Sequence, residues 1–211
     1  MSSGIDTFGR EIVCSIRNIK KNYVGVQALV GVDLDIYSGT IHAIVGENGA
    51  GKSTLMKILA GAERPDAGDI FVRGCRVSFS NVAEALRNGI AIVFQELSLF
   101  PDLDVLSNLF LLREPLHCGF VSRNKMRQVA EPVLNQLDLH IDLDARVESL
   151  RLGDRQLVEI AKALLVRSQV LILDEPNSAL NATESEHLFN VVRQLRAQGV
   201  AVIYISHRLE E

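Results

Sequence analysis

The sequence predicts an α/β domain that carries an inserted helical segment, and three observations support this fold class. Apolar runs of strand length occupy residues 40–45, 90–94, 170–173 and 200–206, a pattern typical of buried parallel strands. Helical apolar spacing follows the first and the third of these runs. Between residues 96 and 167 the strand signal disappears and helical spacing takes over, which indicates the insert.

The remaining elements follow from local signals along the chain. Residues 12–17 and 32–36 alternate apolar and polar side chains like half-buried strands, and another strand is predicted at 70–74. Helices are predicted over residues 81–86, 102–112, 122–137, 155–167 and 182–198. Ser80 or Asn81 is placed to cap the first of these helices, Ser122 and Asn181 are placed to cap two others, and Gly199 ends the last one.

Composition narrows the function classes. With 211 residues and 47% hydrophobic composition, the chain can bury a substantial core, which excludes a disordered protein. The net charge of −4 gives no bulk attraction for nucleic acid or for anionic lipid. The chain shows no secretory leader and no apolar run near the ~18 residues that a membrane helix needs, so we expect a protein that is cytoplasmic or recruited to a membrane by a partner.

Three cysteines, Cys14, Cys75 and Cys118, are odd in number and form no CxxC pair. This spacing favours neither a disulfide framework nor a zinc site. We expect buried thiols in a reducing compartment.

A glycine-rich loop follows the first buried strand and precedes a helix. It consists of Gly46, Glu47, Asn48, Gly49, Ala50, Gly51, Lys52, Ser53 and Thr54. Its glycines let successive backbone N–H groups point inward, and the following helix start adds positive potential, so the loop is predicted to bind polyphosphate. Lys52 would then bridge the β- and γ-phosphates and Ser53 would ligate Mg²⁺. The alternative is a glycine-rich turn that binds nothing.

Two adjacent carboxylates, Asp174 and Glu175, end the buried strand at 170–173. In parallel α/β sheets, ligands collect at the carboxyl ends of strands. Because neighbouring strand residues point to opposite sides, the two groups can take separate roles. We expect Asp174 in the Mg²⁺ shell and Glu175 as the group that orients and polarises the attacking water. The alternative is a solvated strand end.

Three further residues are ambiguous on sequence alone. Tyr23 could stack on a purine base, but a core aromatic is the more economical interpretation. Gln95 follows the strand at 90–94 and could be an ordinary polar strand end. His207 follows the strand at 200–206, where it could be structural or could hydrogen-bond a γ-phosphate.

Together these motifs resemble the nucleotide-binding domain of ABC transporters over nearly the whole chain. Residues 46–54 match the Walker A motif, Gln95 the Q-loop, residues 150–154 the signature, residues 170–175 Walker B, and His207 the switch histidine. The resemblance implies a P-loop NTPase core of RecA-like α/β type, with an antiparallel β subdomain and an inserted α-helical subdomain. It also implies one ABC ATPase domain over residues 1–211, truncated at its C-terminus, with its core at 1–95 and 168–211 and its helical subdomain at 96–167.

The same resemblance assigns roles to the ambiguous residues. It implies that Tyr23 stacks on adenine and that Gln95 touches Mg²⁺ and the helices of the transporter. It also implies that His207 holds the γ-phosphate. Lys52, Gln95, Glu175 and His207 are then the candidate catalytic residues.

Finer details, in residues 158–164, 174–180 and 206–211, look like the first of two fused ATPase halves in bacterial ribose-type simple-sugar importers. This likeness implies an ATP hydrolase that needs ATP and Mg²⁺ and works at the cytoplasmic face of the bacterial membrane. The implied partners are membrane permease subunits and a second ABC ATPase domain, from the same full-length chain or from a homodimer. A periplasmic or extracellular sugar-binding protein takes part indirectly, and nucleic acid is not a partner.

The signature departs from the family pattern Leu-Ser-Gly-Gly-Gln. Arg151 replaces the serine, Leu152 the first glycine and Asp154 the glutamine. In the family this segment faces the partner's nucleotide. We expect the Arg151 guanidinium to face the opposing phosphate and slow turnover there, or else to swing into solvent without effect.

Two other functions remain open at this stage: a soluble ABC ATPase of translation or DNA repair, and a non-hydrolysing half that holds ATP. The net charge and the absence of a basic run count against the first. A GTPase is not favoured, because the only comparable stretch, at residues 124–127, lacks the aspartate that reads guanine.

Overall fold

The structure is a computed structural model that describes residues 9–47, 49–117 and 119–206. The chain forms two compact units. The core unit comprises Met1–Ile92, Ser168–Glu175 and Val192–Glu211, and the helical unit comprises Val93–Arg167 and Pro176–Val191. The helical unit thus includes, beyond the predicted insert, a second segment that follows Glu175.

The strands in chain order are β1 (Ile12–Tyr23), β2 (Val26–Tyr37), β3 (Ile41–Val45), β4 (Ala67–Val72), β5 (Cys75–Val77), β6 (Ile90–Val93), β7 (Leu116–His117), β8 (Phe120–Val121), β9 (Val170–Asp174) and β10 (Ala201–Ser206). The helices are α1 (Lys52–Leu59), α2 (Val82–Arg87), α3 (Val105–Phe110), α4 (Arg123–Gln136), α5 (Leu152–Leu164) and α6 (Ala182–Ala197). A short 3₁₀ helix spans Val147–Ser149.

One sheet is antiparallel, with strand order β2-β1-β4-β5. Its two long strands form a hairpin and extend well past the predicted stretches, because bulges let β1 and β2 stay paired through a change of register. Ile16, Ile19 and Ile36 on these strands are fully buried. The antiparallel β subdomain is therefore confirmed.

The other main sheet has the order β3-β10-β9-β6, and β10 pairs in parallel with both of its neighbours. All residues of β9 and β10 are buried, as expected for central strands covered on both faces. Continuous apolar runs thus correctly predicted this parallel sheet.

Apolar faces of α3, α4 and α5 form the interior of the helical unit, where Leu106, Leu109, Met126 and Ile160 are buried. The prediction that this stretch contains no strand is wrong, because β7 and β8 form a two-stranded antiparallel hairpin. That hairpin lacked a sequence signal because each strand has only two residues.

Helix ends follow the predicted caps with one exception. Asn81 accepts a hydrogen bond from the Glu84 amide at 3.0 Å, and Asn181 accepts one from the Glu184 amide at 3.0 Å. Ser122 stands at the N-cap of α4, but its side chain makes no capping hydrogen bond. Helix α3 begins later than predicted because the Asp104 carboxylate caps it, accepting from the Ser107 amide at 2.7 Å.

The cysteines are only partly as expected. Cys14 lies in the core, and burial raises the pKa of its thiol to about 12. The prediction is wrong for Cys75, which is exposed because β5 is a short strand at the sheet edge. Cys118 lies outside the described residues. Among the described residues, no helix is both long and apolar enough to cross a bilayer.

Candidate active site

The parallel sheet brings three strand ends to one edge. Ser206 pairs with Val45, and Ile205 pairs with Asp174, so β3, β9 and β10 end side by side. The glycine-rich loop leaves β3 at this edge, and Asp174 is the last residue of β9. The glycine-rich loop and the carboxylate pair therefore lie at the same edge of the sheet. His207 follows β10 directly and lies outside the described residues.

Lys52, the first residue of α1, folds its side chain back over the loop. Its ammonium donates to the carbonyl oxygens of Gly46 at 2.6 Å and Glu47 at 2.9 Å. The amide of Ala50 donates to the Glu47 carbonyl at 3.2 Å, which closes the turn. The loop thus holds a cation over its own backbone. Asn48 lies outside the described residues.

Gly51 is the N-cap of α1 and adopts φ 86°, a left-handed conformation that favours glycine. A Cβ atom on Gly51 would lie 2.5 Å from the Ala28 carbonyl oxygen, so β2 leaves no room for a side chain. Among the residues that the structure describes, no side chain caps α1, and the first turn of this helix has no acidic residue. The N–H groups at this helix start, next to Ser53 and Thr54, therefore retain positive potential suited to an anion.

Asp174 is 8% exposed. Burial raises the pKa of its carboxyl, and the neighbouring charge of Glu175 raises it further. The positive charges of Lys57 and Lys52 lower this pKa, but by less than burial and Glu175 raise it. A buried carboxylate with this balance favours the approach of an additional cation.

Glu175 adopts φ 48°, which is uncommon for a residue with a side chain. Its amide donates to the Ile205 carbonyl oxygen at 3.1 Å, and this is the last bond of the β9–β10 ladder. Left-handed geometry in non-glycine residues concentrates at functional sites. The chain therefore turns sharply at the second carboxylate of the pair.

Tyr23 is 43% exposed, so the interpretation of this residue as a core aromatic is wrong. Its hydroxyl donates to Glu63 at 2.5 Å, and the Lys21 ammonium lies 5.7 Å from the ring centroid. A hydrogen bond with Glu63 raises the pKa of the Tyr23 hydroxyl. A hydrogen bond with Thr54 lowers this pKa by a smaller amount. The ring is thus fixed beside the first turn of α1.

Glu63 itself was not predicted from the sequence. It lies 40 residues from Tyr23 in the chain, and no local motif links the two. Glu63 also pairs with the Lys21 ammonium at 3.4 Å. The three side chains form one polar cluster around the aromatic ring.

Gln95 and the signature segment, residues 150–154, belong to the helical unit. Gln95 is exposed in the loop that follows β6. Arg151 is the exposed N-cap of α5, makes no capping bond through its side chain, and its carbonyl oxygen accepts from the Arg155 amide at 3.0 Å. The signature helix begins at Leu152, three residues earlier than predicted.

The family model described as "ABC transporter" matches residues 29–178. The chain belongs to the ABC transporter family. The match begins in β2 and ends after the carboxylate pair, so it includes the whole glycine-rich loop. The resemblance inferred from the motifs is confirmed.

Two curated relatives carry names of ribose import. The chain is 49% identical over 201 residues to "Ribose import ATP-binding protein RbsA 3" of Rubrobacter xylanophilus, covering 95% of this chain and 41% of that protein. It is 47% identical over 198 residues to "Ribose import ATP-binding protein RbsA" of Hahella chejuensis, covering 93% of this chain and 40% of that protein. The chain thus spans about two fifths of the length of these relatives.

Solved structures confirm the fold. A nucleotide-free ATP-binding cassette from an ABC transporter superposes with a TM-score of 0.82 at 27% identity, covering 94% of this chain and 83% of the other. An ATP-binding cassette of an ABC transporter in its ADP conformation gives a TM-score of 0.82 at 28% identity, with coverages of 94% and 82%. The α/β core with its antiparallel sheet and helical unit is therefore an ABC ATPase fold.

Proposed function

We propose that this chain is the ATP-binding and ATP-hydrolysing domain of a bacterial ABC importer for a simple sugar. The observation that carries the proposal is the parallel register that brings the glycine-rich loop and the carboxylate pair to one sheet edge. The names of the ribose import relatives support the sugar class. The translation, DNA repair and non-hydrolysing alternatives have no comparable support.

The loop would bind the triphosphate through its backbone. On binding, the Lys52 ammonium exchanges its two carbonyl contacts for the β- and γ-phosphates. The start of α1 supplies unpaired N–H groups to the same anion. The residues proposed to contact nucleotide here are Gly46, Glu47, Asn48, Gly49, Ala50, Gly51, Lys52, Ser53 and Thr54.

Hard oxygen ligands fit Mg²⁺, and Ser53 and Asp174 are of this type; the family resemblance adds the Gln95 amide oxygen as a further proposed ligand. Within the described residues there is no cluster of three or more acidic, histidine or cysteine side chains. In nucleotide sites, Mg²⁺ is usually held by one or two carboxylates together with substrate phosphates and water. When bound, Mg²⁺ supplies charge neutralisation on the phosphate oxygens.

Glu175 is proposed to orient and polarise the water that attacks the γ-phosphorus. The new P–O bond forms as the bond to the β-phosphate oxygen breaks, ADP leaves, and Glu175 receives the water's proton. His207 would hydrogen-bond the γ-phosphate. The left-handed backbone at Glu175 sets the direction in which its side chain leaves the main chain.

Tyr23 is proposed to stack on adenine. The Lys21 ammonium lies over the ring, so a base would take the opposite face. The hydrogen bond to Glu63 holds the ring in place without the nucleotide.

The implied assembly has membrane permease subunits, a second ABC ATPase domain and, indirectly, a sugar-binding protein outside the membrane. The domain would work at the cytoplasmic face of the membrane.

A reconstitution tests this function. The full-length protein and its permease, placed in vesicles with the sugar-binding protein, should import radiolabelled ribose only with MgATP. Co-purification with ribosomes and no ATP-dependent uptake of ribose, galactose or xylose would contradict the proposal.

A further inference from the structure

Glu159 is a carboxylate buried on an otherwise apolar stretch of α5. It is 6% exposed, and its neighbours Val158, Ile160 and Ala161 are fully buried. Removing a carboxylate from water costs several kcal/mol unless hydrogen bonds compensate. A leucine would fill a similar volume without that cost. The carboxylate therefore needs an explanation.

The compensation comes from one residue, Ser98. The Glu159 Oε1 atom accepts from the Ser98 amide at 2.7 Å and from the Ser98 hydroxyl at 2.8 Å. In the described parts of the chain, no ion pair includes Glu159. Ser98 lies three residues after Gln95, so these two hydrogen bonds attach the segment that follows the Q-loop to α5.

A second buried side chain holds the same segment further along. Asn108 of α3 is fully buried. It accepts from the Phe100 amide at 2.7 Å and donates to the carbonyl oxygens of Phe100 at 3.0 Å, Asp104 at 3.1 Å and Leu103 at 3.3 Å. Residues 98–104 are thus fixed to two helices of the helical unit by polar groups.

The first turn of α5 is fixed in the same manner. Arg155 donates to the carbonyl oxygen of Leu150 at 3.0 Å and to that of Glu148 at 2.5 Å. Arg155 and Glu159 are four residues apart, which places them on one face of α5, about 6 Å apart along its axis. The Q-loop segment and the signature segment are therefore tied to the same helix.

We propose that Glu159 is a positioning residue that makes the segment after Gln95 and the signature segment move as one body. A displacement of Gln95 is then carried through Ser98 and α5 to Arg151. The functional consequence rests on the proposed function: a movement imposed by the permease at the Q-loop reaches the segment that faces the partner's nucleotide through α5.

A distance measurement tests the linkage without relying on activity. Spin labels are placed on the full-length protein through Glu96→Cys and Glu148→Cys, both at exposed sites of the helical unit. Cys75→Ser and Cys118→Ser remove two competing thiols, and buried Cys14 stays unreactive because its thiol pKa is about 12. Other reactive cysteines of the full-length chain are replaced likewise.

The variants are Glu159→Gln and, as a milder change that keeps the backbone bond, Ser98→Ala. The control is Glu131→Gln, the same substitution at an exposed site of α4. We expect a narrow label-to-label distribution in the parent and control, and a broad one in both variants. A distribution of unchanged width in both variants would overturn the proposal.

Turnover with the permease supplies the functional readout. Glu159→Gln should reduce the permease-stimulated ATPase rate about fivefold while the Kd for MgATP changes less than about twofold. Equal losses in stimulated rate and nucleotide affinity would indicate a merely structural role and contradict the proposal. If the parent itself binds no MgATP, the proposed function fails, and the label distances still decide the linkage.

Discussion

The amide of Glu175 donates a hydrogen bond to the Ile205 carbonyl oxygen at 3.1 Å. This bond is the last one of the β9–β10 ladder, and it fixes the amide of Glu175 at a position where the residue adopts a left-handed conformation with φ 48°. Strand β10 therefore sets the backbone position of the carboxylate proposed to polarise water. Preorganisation of this kind carries a cost in stability.

That cost can be measured by comparing Glu175→Gly with Glu175→Ala. Both variants lose the carboxylate, but only glycine adopts positive φ freely. We expect the glycine variant to have a free energy of unfolding about 1 kcal/mol higher than the alanine variant, by urea denaturation. Equal stability would show that the backbone at this position is not strained.

Asp174 offers a test through pH. Its pKa is raised by burial, so the folded protein binds this proton more tightly than the unfolded chain. Ionised Asp174 then lowers stability at neutral pH. This penalty shrinks as pH falls through the raised pKa of the folded state and is gone below the ordinary pKa of an aspartate. We expect Asp174→Asn to raise the thermal midpoint at pH 7 without ligand, with a smaller gain in acid.

The same variant should lose the increase in thermal midpoint that MgATP gives the parent protein, because the proposed metal ligand is gone. Glu11→Gln, at an exposed carboxylate outside the site, serves as the control. If Asp174→Asn has a lower thermal midpoint than the parent and MgATP still raises that midpoint, both the penalty of the buried charge and the role of Asp174 as a metal ligand are contradicted.

Gly51 is constrained twice, by its positive φ and by the Ala28 carbonyl oxygen, which lies 2.5 Å from the position that a Cβ atom would take. Gly74 has φ 74° but nothing within 4 Å of the corresponding position. We expect Gly74→Ala to cost about 1 kcal/mol and Gly51→Ala clearly more, with loss of nucleotide affinity in the second alone. Similar effects of the two substitutions on unfolding and binding would disprove the close-packing argument.

Much of the fold follows from local sequence signals. Residues 170–173 predicted β9 because a strand buried on both faces has a continuous apolar run. Asn81 and Asn181 predicted helix starts because their side chains accept amide hydrogen bonds at short range. The glycine-rich loop was also found locally, since its spacing and flanking elements together define the motif.

Features that depend on contacts between residues far apart in the sequence could not be predicted from local signals. The exposure of Tyr23 and its bond to Glu63 depend on how the β1–β2 hairpin meets α1. The pairing of Ser98 with Glu159 spans 61 residues. Neither pair has a local pattern, because each residue alone resembles an ordinary polar surface position. The roles assigned to the site residues stay predictions.

Arg151 provides a test in the assembled transporter. Its side chain is exposed at the start of α5, and a guanidinium is a donor group suited to an opposing phosphate. We expect Arg151→Ser to raise the ATP turnover of the assembly by about two- to fivefold, because a guanidinium that holds phosphate slows release. Arg146→Ser, at another exposed arginine, is the control. An unchanged rate would contradict the idea of a slow composite site.

The most direct test of the proposed nucleotide site is calorimetric titration of MgATP into full-length protein carrying Glu175→Gln. We predict saturable binding with a Kd within about threefold of the parent, loss of most of the hydrolysis, and loss of binding when Lys52→Ala is added. If the full-length protein has a second nucleotide site, the loss should be one of two equivalents. A correctly folded Glu175→Gln protein whose MgATP binding is unaffected by Lys52→Ala would contradict the account.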